Sequence, residues 1–230
     1  MKNKLANLVV GLSFGIAAAQ ASAQDAKPGD AAAGQKKADM CIGCHGIPGY
    51  QASFPEVYKV PKIAGQSGKY IVAALNGYKK GERRHPSMRG IAGSLSDQDM
   101  ADLAAYFEQL GKSAGDAAVE KVSTKADAAL PAPPPEVAKL LAQANCASCH
   151  GANFSQPIDP SYPKLAGQYP DYLYAALKAY QTDHNPVLGR SNAIMMGMAR
   201  PFTHPEIKAL AQYLSSLPGD LRTVAQSRFR

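Results

Sequence analysis

Cys41-Ile42-Gly43-Cys44-His45 and Cys146-Ala147-Ser148-Cys149-His150 together use all 4 cysteines of the 230-residue chain. Two thiols three positions apart lie on one helical turn, where each can add to a vinyl group of the same haem. The histidine that follows reaches the iron from the same side. Two copies with no stray cysteine therefore read as two haem c groups, held covalently through Cys41, Cys44, Cys146 and Cys149, with His45 and His150 as axial iron ligands. Other uses of the thiols fit less well. A dithiol redox centre normally sits in alternating strands and helices, which the surrounding sequence lacks. One shared zinc site would have to close the loop between Cys44 and Cys146, against roughly 15–20 residues between the pairs of a zinc ribbon. Disulfides between such near neighbours would be strained, and neither reading explains the histidines.

The N-terminal residues indicate a compartment. Lys2 and Lys4 precede an apolar run from Leu5 to Ala19, and Ala21-Ser22-Ala23 before Gln24 fits a signal peptidase site. Residues 1–23 are thus expected to be a cleaved signal peptide, because the run is shorter than the ~20 residues that span a bilayer. No later stretch is long and apolar enough to span, and export to the periplasm agrees with haem attachment outside the cytoplasm. Cleavage removes two of 25 basic residues, leaving 23 against 18 acidic ones, a mild excess of +5. The basic residues are interspersed with acids and form no long tract, which argues against a nucleic-acid partner. A diffuse positive face suits acidic redox proteins as donor and acceptor, with an attraction that salt weakens.

After each haem motif the same landmarks recur in the same order, the signature of a duplicated folding unit. Pro61-Lys62-Ile63-Ala64-Gly65-Gln66, then Tyr70 and Tyr78, matches Pro163-Lys164-Leu165-Ala166-Gly167-Gln168, then Tyr172 and Tyr180. The block from Leu95 to Tyr106 matches that from Phe202 to Tyr213, and the three offsets are 105, 102 and 107 residues. The expected organisation is a first domain over 24–111, an alanine- and proline-rich linker over 112–135, a second domain over 136–217, and a basic tail over 218–230. The linker's Pro131-Ala132-Pro133-Pro134-Pro135 end reads as extended chain.

Each copy reads as three helices with irregular loops. The first is expected from Asp30 into Cys41, and from Pro135 into Cys146; the second over Ser67–Lys79 and Pro170–Gln181. The third starts at capping-box-like pairs, Ser96 with Asp99 and Thr203 with Glu206, ahead of Met100, Leu103, Ala104 and Phe107 on one helical face. Strand signals are weak, so the expected class is all-α. With no tryptophan and 7% aromatic residues, each unit has a small core that a haem ring would complete.

The sixth ligand separates electron transfer from small-molecule chemistry. Met88 lies between the second helix and the cap of the third, in an expected loop over the haem. Met195, Met196 and Met198 are the candidates in the second copy, and Met195 is favoured because Arg83 precedes Met88 by five as Arg190 precedes Met195. Met40 and Met100 read as core fillers. His85 is a competitor to Met88 without a matching histidine in the second copy, while His184 and His204 read as surface residues. Arg83 and Arg190 are candidate haem-propionate contacts. The carbonyls near Pro61 and Pro163 are candidate acceptors that orient the axial imidazoles.

On the duplicated Cys-x-x-Cys-His, the Pro-Lys-(Ile/Leu)-Ala-Gly-Gln block, the downstream methionines and the Leu-Ser-Asp start of the last helix, the chain resembles the cytochrome c4 family of dihaem class I c-type cytochromes. The resemblance implies two tandem cytochrome c-like domains, each a small helical bundle wrapped around its haem, with histidine and methionine on each iron. It also implies single-electron transfer between redox partners of a respiratory chain, commonly towards a terminal oxidase that is membrane-bound. The longer linker and the added tail depart from that pattern. Two further functions compete: a cytochrome subunit of a larger dehydrogenase complex, and a dihaem oxidoreductase of peroxidase or thiosulfate-oxidising type. The last would need an open axial position or a cysteine ligand, and no fifth cysteine exists.

Overall fold

The computed structural model describes residues 27–113, 130–182 and 185–225. The expected signal peptide, most of the linker, His184 and the last five residues lie outside the described residues. The first half contains α1 (Ala31–Lys37), α2 (Asp39–His45), α3 (Gly68–Lys80), α4 (Pro86–Gly93) and α5 (Asp97–Ser113). The second contains α6 (Pro135–Gln143), α7 (Ala147–His150), α8 (Pro170–Gln181), α9 (Ala193–Ala199) and α10 (His204–Ser216). Extended pairing among the described residues is confined to four two-residue strands and one isolated bridge. The strands are β1 (Gln51–Ala52) with β2 (Tyr58–Lys59), and β3 (Arg83–Arg84) with β4 (Gly189–Arg190). The chain is all-α in class, as its sequence indicates.

Local chemistry explains where the helices begin. Asp30 caps α1, its Oδ1 accepting from the Ala32 N–H at 2.8 Å. Ser96 and Asp99 cap α5 reciprocally: the Asp99 N–H donates to Ser96 Oγ at 3.1 Å, and the Ser96 N–H donates to Asp99 Oδ2 at 3.0 Å. Thr203 and Glu206 form the same capping box at α10. Two sequence expectations need correction. The single helix expected from Asp30 into Cys41 is broken at Ala38. There α1 lies so close to α5 that a Cβ on Gly34 would sit 2.0 Å from the Asp102 carbonyl oxygen, and the chain must turn to carry the haem motif away on α2. The helix expected from Pro135 into Cys146 likewise ends at Gln143, and Asn145 adopts φ 45°, a left-handed conformation that asparagine tolerates.

Each half has its own core. Met100, Leu103, Ala104 and Phe107 of α5 are all at most 3% exposed, and Leu103, Ala104 and Phe107 pack with Ile42 and Ile71. Their counterparts Ile207, Leu210, Ala211 and Leu214 of α10 pack with Val137, Leu140 and Leu173. Burial of a large aliphatic side chain contributes about 1.5–3 kcal/mol, and only a handful serve each half.

The halves meet through their matched blocks. Gln66 accepts from the Lys164 N–H at 3.0 Å and donates to the Lys164 carbonyl at 3.1 Å. Gln168 accepts from the Lys62 N–H and donates to the Lys62 carbonyl, both at 2.9 Å. Gln168 thus satisfies buried backbone at Lys62, and Gln66 partly buried backbone at Lys164. On the same seam β3 pairs antiparallel with β4, Asp171 accepts from the Lys59 N–H at 2.8 Å, and Lys178 pairs with Glu56.

Candidate haem sites

α2 carries Cys41, Cys44 and His45 within about one turn, and the 146–150 segment carries the second set, with Cys146 immediately before α7. None of the four cysteines is in a disulfide. Among the described residues, no group of three or more His, Cys, Asp or Glu side chains converges on one point. Before haem attachment, burial pushes the Cys41 thiol up to about 11.

The histidines are held alike. His45 Nδ1 lies 2.8 Å from the Pro61 carbonyl oxygen, and His150 Nδ1 lies 3.0 Å from that of Pro163. A carbonyl can only accept, so the proton is on Nδ1 in both rings and the Nε2 lone pair is left for iron. Burial lowers the pKa of both rings, against an opposing push from these same hydrogen bonds, which favours the neutral imidazole that ligation requires. Covalent thiols on one turn beside an oriented, neutral imidazole fit a haem c in each half.

The expected loop around Met88 is instead a helix. α4 begins at Pro86, and the His85 ring caps it by accepting from the Met88 N–H at 3.3 Å through Nδ1. α9 is built the same way: Asn192 Oδ1 accepts from the Met195 N–H at 3.0 Å. Met88 and Met195 therefore occupy the same third position of matched helices, and His85 corresponds to Asn192. Met196 is one position further and partly buried, while Met198 is 42% exposed. His204 opens α10 against the Tyr174 ring.

Arg83 and Arg190 come together at the seam. Arg83 donates to the Tyr70 hydroxyl at 3.1 Å and lies over the Tyr70 and Tyr78 rings. Arg190 donates to the Tyr172 hydroxyl at 3.0 Å and lies over Tyr172 and Tyr180. A cavity of about 30 Å³ beside them is lined by residues of both halves, including Tyr58, Tyr78, His85 and Tyr172. Neither guanidinium has a carboxylate partner among the described residues. The repeated tyrosines and the Gly-Gln pair were visible in the sequence as landmarks, but their use as an interface was not, because a repeat does not say which of its faces meet.

The family profile described as Cytochrome c matches residues 31–111 and again residues 136–218. A cytochrome c4 from Azotobacter vinelandii is 31% identical over 206 residues, covering 82% of this chain and 90% of the relative. The chain belongs to the cytochrome c4 family. The crystal structure of reduced recombinant cytochrome c4 from Pseudomonas stutzeri superposes with a TM-score of 0.56 at 27% identity, covering 82% of this chain and 99% of that one. A thiosulfate dehydrogenase electron acceptor from Stutzerimonas stutzeri (strain A1501) is 29% identical over 217 residues, covering 91% of this chain and 94% of the relative. Like other cytochromes c4, the protein is a dihaem electron-transfer cytochrome of two tandem cytochrome c domains, each with one covalently bound haem c. Among the described residues no helix is long and apolar enough to cross a membrane.

Proposed function

We propose that the protein shuttles single electrons in the periplasm between redox proteins of a respiratory chain, delivering them towards a terminal oxidase. The observation that carries this reading is the matched pair of imidazoles, His45 on the Pro61 carbonyl and His150 on the Pro163 carbonyl, each one residue after a cysteine pair. Bound haem supplies an iron that changes oxidation state by one electron. His45 with Met88, and His150 with Met195, would hold the iron of each haem, and methionine ligation would favour a high reduction potential. The capped helices α4 and α9 hold the two methionines in place, which would let them stay bound in both oxidation states. Arg83 and Arg190, unpaired with acids, supply positive charge for haem propionates at the seam. Residues 1–23 direct export and are removed, and the described tail residues from Pro218 bind back onto the folded halves.

A second reading has its own support in the likeness to a thiosulfate dehydrogenase electron acceptor. In that reading a dehydrogenase supplies the electrons, and the protein stays a carrier rather than the enzyme. The test is stopped-flow reoxidation of the reduced protein by oxidase-containing membranes, and its reduction by a thiosulfate dehydrogenase with thiosulfate. Rapid reoxidation supports the first reading; rapid reduction by the dehydrogenase alone supports the second. Oxidation of thiosulfate by the purified protein itself would overturn both.

A further inference from the structure

The residues after α10 do not hang free. The chain turns at Pro218, Gly219 packs on Ala166 of its own half, and the next residues cross to the other half. There the Arg222 N–H donates to the Ala64 carbonyl at 2.9 Å in an isolated antiparallel bridge. Leu221 is 0% exposed and Arg222 7%. The Arg222 guanidinium folds back onto the Gly219 and Leu221 carbonyls at 2.6 and 2.9 Å, fixing the turn from within. Asp220 pairs with Lys164 at 2.8 Å, and Thr223 meets the Tyr169 hydroxyl at 3.1 Å. Gly65, with φ +84°, lies so close that a Cβ there would be 2.3 Å from the Asp220 carbonyl oxygen.

Ala64 stands three residues after Pro61, whose carbonyl holds the His45 imidazole. The short Pro61–Gly65 loop is pinned by Gln168 at Lys62, by the tail at Ala64 and Gly65, and by the Phe107 carbonyl at the Gly65 N–H. The matching Ala166 receives no such bridge among the described residues. We propose that residues 219–223 are a positioning strap for the first haem: the tail of the second domain fixes the loop whose Pro61 carbonyl orients His45. The proposal rests on His45 as an iron ligand. The strap also touches the Pro163–Gly167 loop, through Gly219 on Ala166 and Asp220 on Lys164, but the Arg222 N–H bonds the backbone of the first loop, and that unequal hold makes the two otherwise matched irons unequal.

The test uses the full dihaem protein, with the two ferric low-spin electron paramagnetic resonance signals assigned by the loss of one in Met88→Ala. Arg222→Pro removes the N–H that bonds Ala64, and Arg222→Ala removes only the brace within the turn. The expected result is a shifted g-tensor and potential for the first haem in Arg222→Pro, a smaller shift of the same sign in Arg222→Ala, and an unmoved second haem. Two unmoved signals, equal shifts in both, or a shift confined to the second haem would overturn the strap. In the unmodified protein the Arg222 amide should exchange with solvent as slowly as the Gly65 amide; rapid exchange overturns the proposal even if the variants do not fold. Absence of histidine–methionine spectra in the unmodified protein would instead defeat the ligand assignment beneath it.

Discussion

Arg83 stands directly opposite Arg190 in the β3–β4 pair, so two equivalent cationic residues, one from each domain, face each other across the seam. Like charges at that distance repel, and each is stabilised by its own tyrosines rather than by an acid. In the proposed function, a haem propionate beside each guanidinium would resolve the conflict. Arg83→Leu is therefore expected to lower the reduction potential of the first haem, because removing a nearby positive charge favours the ferric state, while Arg83→Lys should lower it less. Spectroelectrochemistry resolves the two centres; an unchanged first potential in Arg83→Leu would remove Arg83 from the propionate site.

Gln66 and Gln168 each close two hydrogen bonds on the opposite domain's backbone. Gln168→Ala strands the Lys62 N–H and carbonyl at a buried seam, at a cost of about 1–3 kcal/mol for an unsatisfied group. The expected outcome is a lower melting temperature of the domain–domain contact with both haem spectra retained, seen as a split transition in calorimetry.

Acid should loosen the first domain more than the second. Asp102 is buried and accepts from Lys37 Nζ at 2.7 Å and from the Asp30 N–H at 2.9 Å, while Asp99 pairs with the same lysine at 2.6 Å. The Asp30 N–H, then Lys37, hold the Asp102 carboxyl below its ordinary value, and Lys37, then Ser96, do so for Asp99. Because the folded values are depressed, this stability is present above the unfolded value of about 4 and is lost as pH falls below it. The second domain has Ala209 where the first has Asp102. Melting of the first domain should therefore fall as pH drops below about 4, and Asp102→Asn should be less stable at neutral pH with a flatter acid limb. Equal acid sensitivity of the two domains would contradict this.

Met88 and Met195 share a capped helical position that Met196 and Met198 do not. Met195→Ala is expected to abolish the ferric methionine–iron band of the second haem and lower its potential, whereas Met196→Leu and Met198→Leu leave both. Optical spectra of the ferric variants decide it.

Much of this was legible before any coordinates. The haem motifs, the repeat, the α3 and α8 spans and both capping boxes are local signals, written in neighbouring residues. The breaks at Ala38 and Asn145 were not, because they answer to helix packing and to presentation of the cysteines, which periodicity does not record. Nor was the helix at Met88: its cap is a histidine ring, and a histidine three residues before a methionine reads in sequence as a competing ligand, not as a cap. The tail was legible only as an addition, since a bridge from Arg222 to Ala64 spans most of the chain.

Cys44→Ala should leave the first domain short of its apolar filling, with faster proteolysis of that half alone. The most direct test of the whole is the intact mass of the purified chain under denaturing conditions, where only covalently attached groups survive. Two haem additions on the polypeptide are the expected result; one addition, or none, would contradict the reading of Cys41, Cys44, Cys146 and Cys149 on which the rest is built.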